Sequence, residues 1–262
     1  MPQRYFLELM YKGTNYSGFQ VQENAPNTIQ QETEKALAIL AKQPITMTGS
    51  SRTDTGVHAL QNFFHFDFDG TFDEHLLYKI NSIIPRDIVI KNIYLVPTDA
   101  HCRFDAISRS YSYHIYQEKN PFLADKAYYF PYSLSLEKLQ EAAAAIKTYT
   151  DFTSFSKRNT QVKTFVCSII ESEWKQEGDE IIYKVKANRF LRGMVRGLTA
   201  TMLLAGRNKI NIDQFKAIIE AKDCKLADFS VPGHGLFLIN VEYPAGFLPA
   251  PLAMRQAQKN SH

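Results

Sequence analysis

Residues 61–68 (QNFFHFDF) constrain the fold more than any other stretch of the chain. Phe64, Phe66 and Phe68 recur with period two against His65 and Asp67, so the run predicts a strand with one aromatic face in a core. Further strands are expected at 4–12, 45–50, 87–95, 108–117, 163–174, 180–187 and 236–242. Helical patterns fall at 28–42, 73–83, 135–147, about 190–205 and 212–221. Thr28 with Gln31 is a candidate capping box, Ser135 a candidate N-cap, and Pro44 closes the first helix. Gly13, Asn15 and Gly18 mark a loop after the first strand. Strands and helices mix in a similar order in both halves, which predicts an α+β (α/β mixed) chain of two halves, 1–104 and 105–246. The tail 247–262 has a polar end and is expected to be disordered.

A chain of 262 residues with 45% hydrophobic composition can bury a sizeable core. Its net charge of +3 says little about partners, because basic residues can gather on one face of a nearly neutral protein. Cys102, Cys167 and Cys224 are far apart and form no CxxC, which argues against a disulfide framework or a zinc ribbon. Reduced cysteines, no signal-peptide core in MPQRYFLELMYKG and no membrane-length apolar run together predict a soluble cytoplasmic protein.

Four groups of residues invite a chemical reading. Arg52, Asp54 and His58 fall within seven residues, with Gly56 permitting a tight turn. An arginine two residues from an aspartate can hold a carboxylate ionised, as a nucleophile requires. Taken alone, the pair reads more readily as a surface turn with a local ion pair. Tyr111 and Tyr113 share a face of the strand at 108–117 with Ile115. They could stack on an unpaired base or pack in a core. Arg103 and Arg109 nearby would suit phosphates.

On the helix expected near 190, Arg189, Arg192 and Arg196 at i, i+3 and i+7 would line one face, opposite Leu191, Met194, Val195, Leu198 and Met202. That stripe is either a phosphate-binding surface or a solvated face. His65, Asp67 and Asp69 alternate on one strand face and could be taken for a metal site. The polar face of a half-buried strand explains them better, because no further ligand cluster has matching spacing.

The stretch Arg52-Thr53-Asp54-Thr55-Gly56-Val57-His58-Ala59 closely resembles the signature of the tRNA pseudouridine synthase A family. Tyr11 to Gln20, Asn81, Pro85 to Ile88, and His101, Arg103 and Phe104 followed by Arg109 to Tyr113 resemble further family blocks in the same order. So do Asp151 to Phe155 and Phe190 to Arg196, and the resemblance spans nearly all of 3–243. Two positions depart from the pattern: Ser51 stands where the family usually has glycine, and Phe19 where it usually has tryptophan.

The resemblance implies the pseudouridine synthase fold, a central mixed, mostly antiparallel sheet flanked by helices, with two similar halves around a cleft. It implies a homodimer that clasps the anticodon arm of tRNA, uridines at positions 38, 39 and 40 of that tRNA as substrate, and no metal or organic cofactor. It makes Asp54 the nucleophile, attacking ribose C1′ or uracil C6, and gives Arg52 the tasks of filling the vacated stack and orienting Asp54 by an ion pair. Tyr111 would stack on the uracil, with Arg189, Arg192, Arg196, Arg103 and His58 completing the substrate-binding set. Competing expectations are a synthase of the same family with other RNA positions, a non-catalytic RNA-binding protein, and a metal-dependent hydrolase using the His65 face.

Overall fold

The computed structural model describes residues 2–23, 25, 27–72, 75–157 and 162–252. Nine strands and five α-helices lie among the described residues, in an α+β arrangement in which antiparallel pairing predominates. No helix among them is long and apolar enough to cross a membrane. The chain divides into two compact units, Met1–Ile107 with Leu238–His262, and Ser108–Phe237. Most of the last strand, from Leu238 on, therefore groups with the first unit, whereas the order of elements had placed all of it in the second half. Much of the tail expected to be disordered, 253–262, lies outside the described residues.

In the first unit β1 (Gln3–Tyr11) is paired antiparallel with both β3 (His58–Phe68) and β4 (Ile88–Val96). The short β2 (Thr48–Gly49) adds to β3 at its His65–Phe64 end, and β9 (Leu236–Glu242) lies beside β3, giving the order β4-β1-β3-β9. Two helices, α1 (Ile29–Ala41) and α2 (Leu76–Ile83), belong to this unit. The expected strand at 45–50 shrinks to the two residues of β2. The alternation of β3 was misleading in one respect. Phe63 and His65 are buried as fully as Phe64 and Phe66, so the strand is covered on both faces and His65 is not on a solvated one.

Thr28 caps α1 by accepting from the backbone N–H of Gln31 at 3.2 Å. The reciprocal half of the capping box is missing, since the buried Oε1 of Gln31 has no hydrogen-bond partner. Lys42, in the left-handed region, ends the helix two residues before Pro44. The first strand is bound to its neighbours by a buried carboxylate. Glu8 accepts from Gln61, Asn92 and Tyr94 at 2.7–2.8 Å, and these bonds hold its pKa below the usual carboxylate range despite burial.

In the second unit β5 (Ser108–Tyr116), β8 (Glu180–Ala187) and β7 (Ile169–Glu177) form consecutive antiparallel pairs, and the short β6 (Tyr128–Tyr129) joins β5 in parallel. The helices are α3 (Leu136–Ala145), α4 (Met194–Gly206) and α5 (Ile212–Glu220). Ser135 caps α3 and Asn211 makes a complete capping box with Gln214.

Helix α4 starts four residues later than its apolar period predicts. Gly193 stands at its N-cap with φ +76°, a left-handed conformation that no helix can run through. Arg189 and Arg192 consequently precede the helix, and the expected three-arginine stripe does not exist. The helix itself is buried over most of its surface, including Thr199 and Thr201, whose hydroxyls bond back to the carbonyls four residues before them.

Candidate active site

The segment from Ser51 to His58 leaves β2 and enters β3 through a turn built by its own small residues. Val57 donates to the Asp54 carbonyl at 3.2 Å, and Gly56 takes φ +78°, as the third position of such a turn requires. The loop after β1 braces this turn from outside. Phe19 donates to the Thr53 carbonyl at 3.1 Å and Gly56 to the Tyr16 carbonyl at 3.4 Å. The approach is close enough that a Cβ on Gly13 would come within 1.9 Å of the Val57 carbonyl oxygen, so only glycine fits there.

Buried side chains lock the same segment from beneath. Tyr11 and Thr53 share a hydroxyl–hydroxyl bond of 2.8 Å. Asn62, fully buried in β3, donates to the Ser51 carbonyl at 2.9 Å and to the Tyr11 hydroxyl at 3.3 Å. Thr53 is thus turned inward, while Arg52 is exposed and Asp54 half-buried on either side of it. Asp54 is presented by a short, over-determined turn, the arrangement that preorganises a reacting group. Ser51, at the position where glycine was expected, adopts no positive φ. Its buried hydroxyl is left without a partner, which is the cost of the side chain.

Two expectations about this region need correction. Arg52 forms no ion pair with Asp54. Its side chain instead lines a cavity of about 230 Å³ together with Gln20, Thr48, His101, Arg103 and Phe104. His58, expected to bind substrate, is 2% exposed, and its Nδ1 accepts from the Gly13 backbone at 3.1 Å. It clamps the loop from within the core. Arg103 is exposed on the rim of the cavity beside Phe104, a position suited to an anion.

In the second unit the structure separates the two tyrosines that period two left equivalent. Tyr113 is fully buried, and its hydroxyl donates to the Pro232 carbonyl at 2.8 Å. Tyr111 is half-buried, with the Phe190 ring edge-on to it at 5.0 Å. Tyr111 is the more accessible of the two rings. Arg192 is exposed and Arg189 half-buried, while Arg196 donates through Nε to the Val231 carbonyl at 2.8 Å and so braces the segment that also receives Tyr113.

The structure also brings together a group that spacing alone did not reveal. His65, His101 and Cys102 place donor atoms within 4.8 Å of one another, without Asp67 or Asp69. These donors are already engaged. His65 Nδ1 accepts from the Cys102 backbone N–H at 3.3 Å, the Cys102 thiol faces the Thr48 carbonyl at 3.2 Å, and His101 Nδ1 accepts from the backbones of Arg103 and Phe104. Burial first, then the neighbouring His101, pulls the His65 pKa down to about 4, so its ring stays neutral. The group acts as a hydrogen-bonded brace under the cavity wall.

The family model described as tRNA pseudouridine synthase matches residues 9–105 and 143–244. A tRNA pseudouridine synthase A of Parabacteroides distasonis is 45% identical over 248 residues, 94% of this chain and 98% of that protein. The proteins of the same name from Bacteroides fragilis and Bacillus subtilis are 43% and 39% identical, each spanning 97% of its own length. The chain belongs to the tRNA pseudouridine synthase family. It is therefore an isomerase that converts uridine to pseudouridine in tRNA.

Proposed function

We propose that the protein acts on the anticodon arm of tRNA, at positions 38, 39 and 40, with Asp54 as the attacking carboxylate. The observation that carries this reading is the turn at Asp54, held by buried bonds through Thr53 and Ser51 within a stretch resembling the family signature. The reaction breaks the C1′–N1 bond of uridine, rotates the uracil and joins C5 to C1′. The C5 proton leaves and N1 acquires one, so no cofactor is consumed. Asp54 attacks either C1′ or C6.

The uridine must first leave the base stack, which costs a few kcal/mol. Arg52, exposed and not tied to Asp54, is free to fill the space the base vacates. Tyr111 stacks on the uracil and assists loss of the C5 proton. Arg192 and Arg189 hold phosphates, and Arg196 supports the site through Val231. A homodimer in the cytoplasm is the proposed working form. The three cysteines are free thiols, which suits a reducing compartment.

The deciding experiment maps pseudouridine across an unmodified tRNA transcript treated with wild type and with Asp54→Asn. Wild type should modify the three consecutive positions, and Asp54→Asn should bind and fold normally while forming no product. Product at the wild-type rate from Asp54→Asn removes the nucleophile assignment. Modification at other positions leaves the family activity and removes the proposed site on the tRNA. Sedimentation of the free protein tests the dimer.

A further inference from the structure

We propose that the cavity beside Arg52 receives the base of a nucleotide adjacent to the reacting uridine in the same tRNA, stacked on Phe104, with its phosphate on Arg103. This inference rests on the tRNA-modifying function and adds a second base-binding subsite to it.

The cavity lies wholly within the first unit, and Asp54 is not among the residues that line it. Arg52 and Asp54 are two residues apart, at most about 7 Å of chain, so the cavity lies within reach of a neighbouring nucleotide. Two arginines and no carboxylate line it, which favours an anionic ligand.

Phe104 is 74% exposed at its rim. A single exposed phenylalanine is unremarkable, but this one is built in place. His101 accepts from the backbone N–H groups of Arg103 at 3.1 Å and Phe104 at 3.4 Å through Nδ1, and its backbone N–H donates to the Asp105 carboxylate at 2.7 Å. The His101 ring lies under Phe104, with centroids 4.1 Å apart, and is itself wedged edge-on against buried His65 at 4.5 Å. The Phe104 ring is thus propped outward on the tilted His101 ring, which His65 backs edge-on. The guanidinium carbon of Arg103 sits 5.8 Å from its centroid.

A fixed aromatic face with a guanidinium beside it binds single-stranded RNA by stacking the base and neutralising the phosphate. Preorganisation of the ring lowers the entropic cost of that stack. An enzyme that withdraws one base from a run of neighbours also needs somewhere to hold the next one apart, and this cavity supplies it.

The test compares wild type, Phe104→Ala and Phe104→Trp on tRNA transcripts that carry an abasic residue on the 5′ side, the 3′ side or neither side of the target uridine. Phe104→Ala should raise KM for the intact transcript about tenfold, as expected for one lost stack, with the loss absent from kcat at saturation. Phe104→Trp should restore KM. One of the two abasic transcripts should show the same loss with wild type and no further loss with Phe104→Ala. An unchanged KM for Phe104→Ala overturns the proposal, as do losses that multiply on both abasic transcripts. Wild type that forms no pseudouridine on the intact transcript would overturn the function itself, a result distinct from any failure confined to the Phe104 variants.

Discussion

Removal of the Tyr11 hydroxyl tests whether the buried bond to Thr53 positions Asp54. In Tyr11→Phe the ring stays in its stack against Phe19, with centroids 5.8 Å apart, while the 2.8 Å bond to the Thr53 hydroxyl and the 3.3 Å bond from Asn62 are lost. Both residues are buried, at 4% and 8% exposure, so the Thr53 hydroxyl is left unsatisfied. That costs about 1–2 kcal/mol and about 3–6 °C in melting temperature for a chain of this size. The catalytic effect should be larger than the stability effect. Thr53 precedes Asp54 directly, and a displacement of ~1 Å in a reacting group can cost ~100-fold in rate.

The expected result is a fall in single-turnover rate of about 10- to 100-fold, with tRNA affinity unchanged, because neither side chain reaches a ligand. Thr53→Val should lose rate in the same direction, and the double variant should be no worse than Tyr11→Phe alone, since the bond that Thr53→Val removes is already lost there. Rates within twofold of wild type in a protein that has lost the expected stability would refute the positioning argument. So would a double variant showing the product of the two single losses.

Other perturbations follow from the same geometry. Tyr111→Phe should keep stacking and lose proton transfer, Tyr111→Ala should lose both, and Tyr113→Phe should cost about 1 kcal/mol of stability with activity retained; equal turnover by all three proteins would take Tyr111 out of the site. His65 has a folded pKa of about 4 against an ordinary 6.5, so the fold disfavours its protonated form. Its contribution is complete above about pH 6.5 and is lost as pH falls towards 4, amounting to at most about 3 kcal/mol. Urea unfolding at pH 7 and pH 4.5 should show a smaller acid loss for His65→Asn than for wild type, and equal losses would place the titration elsewhere.

Much of the architecture was legible in the sequence because period two and turn residues act locally. The last strand, 236–242, and the strand at 180–187 coincide with their expected limits. The start of α4 was not legible, because an apolar period does not report the backbone angle of a glycine. The left-handed Gly193 breaks a pattern that continues through it in sequence. Tyr111 and Tyr113 share a strand face, but what covers Tyr113 comes from far along the chain. A Cβ on Gly235 would lie 2.8 Å from its ring. The Arg52–Asp54 spacing suggested a pair, whereas inward rotation of Thr53 sends the arginine to a cavity. Asn62 could have been noticed as an amide inside an aromatic strand, yet its partner Ser51 is defined only once β3 is in place.

The placement of β9 bears on when this chain can be finished. The strand that carries the Asp54 turn, β3, has β1 on one side and β9 on the other. Residues 1–107 emerge from a ribosome well before residues 236–242, so for most of synthesis β3 lacks β9 on the edge where β2 covers only Phe64 and His65. An unpaired strand edge of that kind recruits other strands. A product cut short before residue 236 would still carry Asp54 and Tyr111, with that edge of β3 left open.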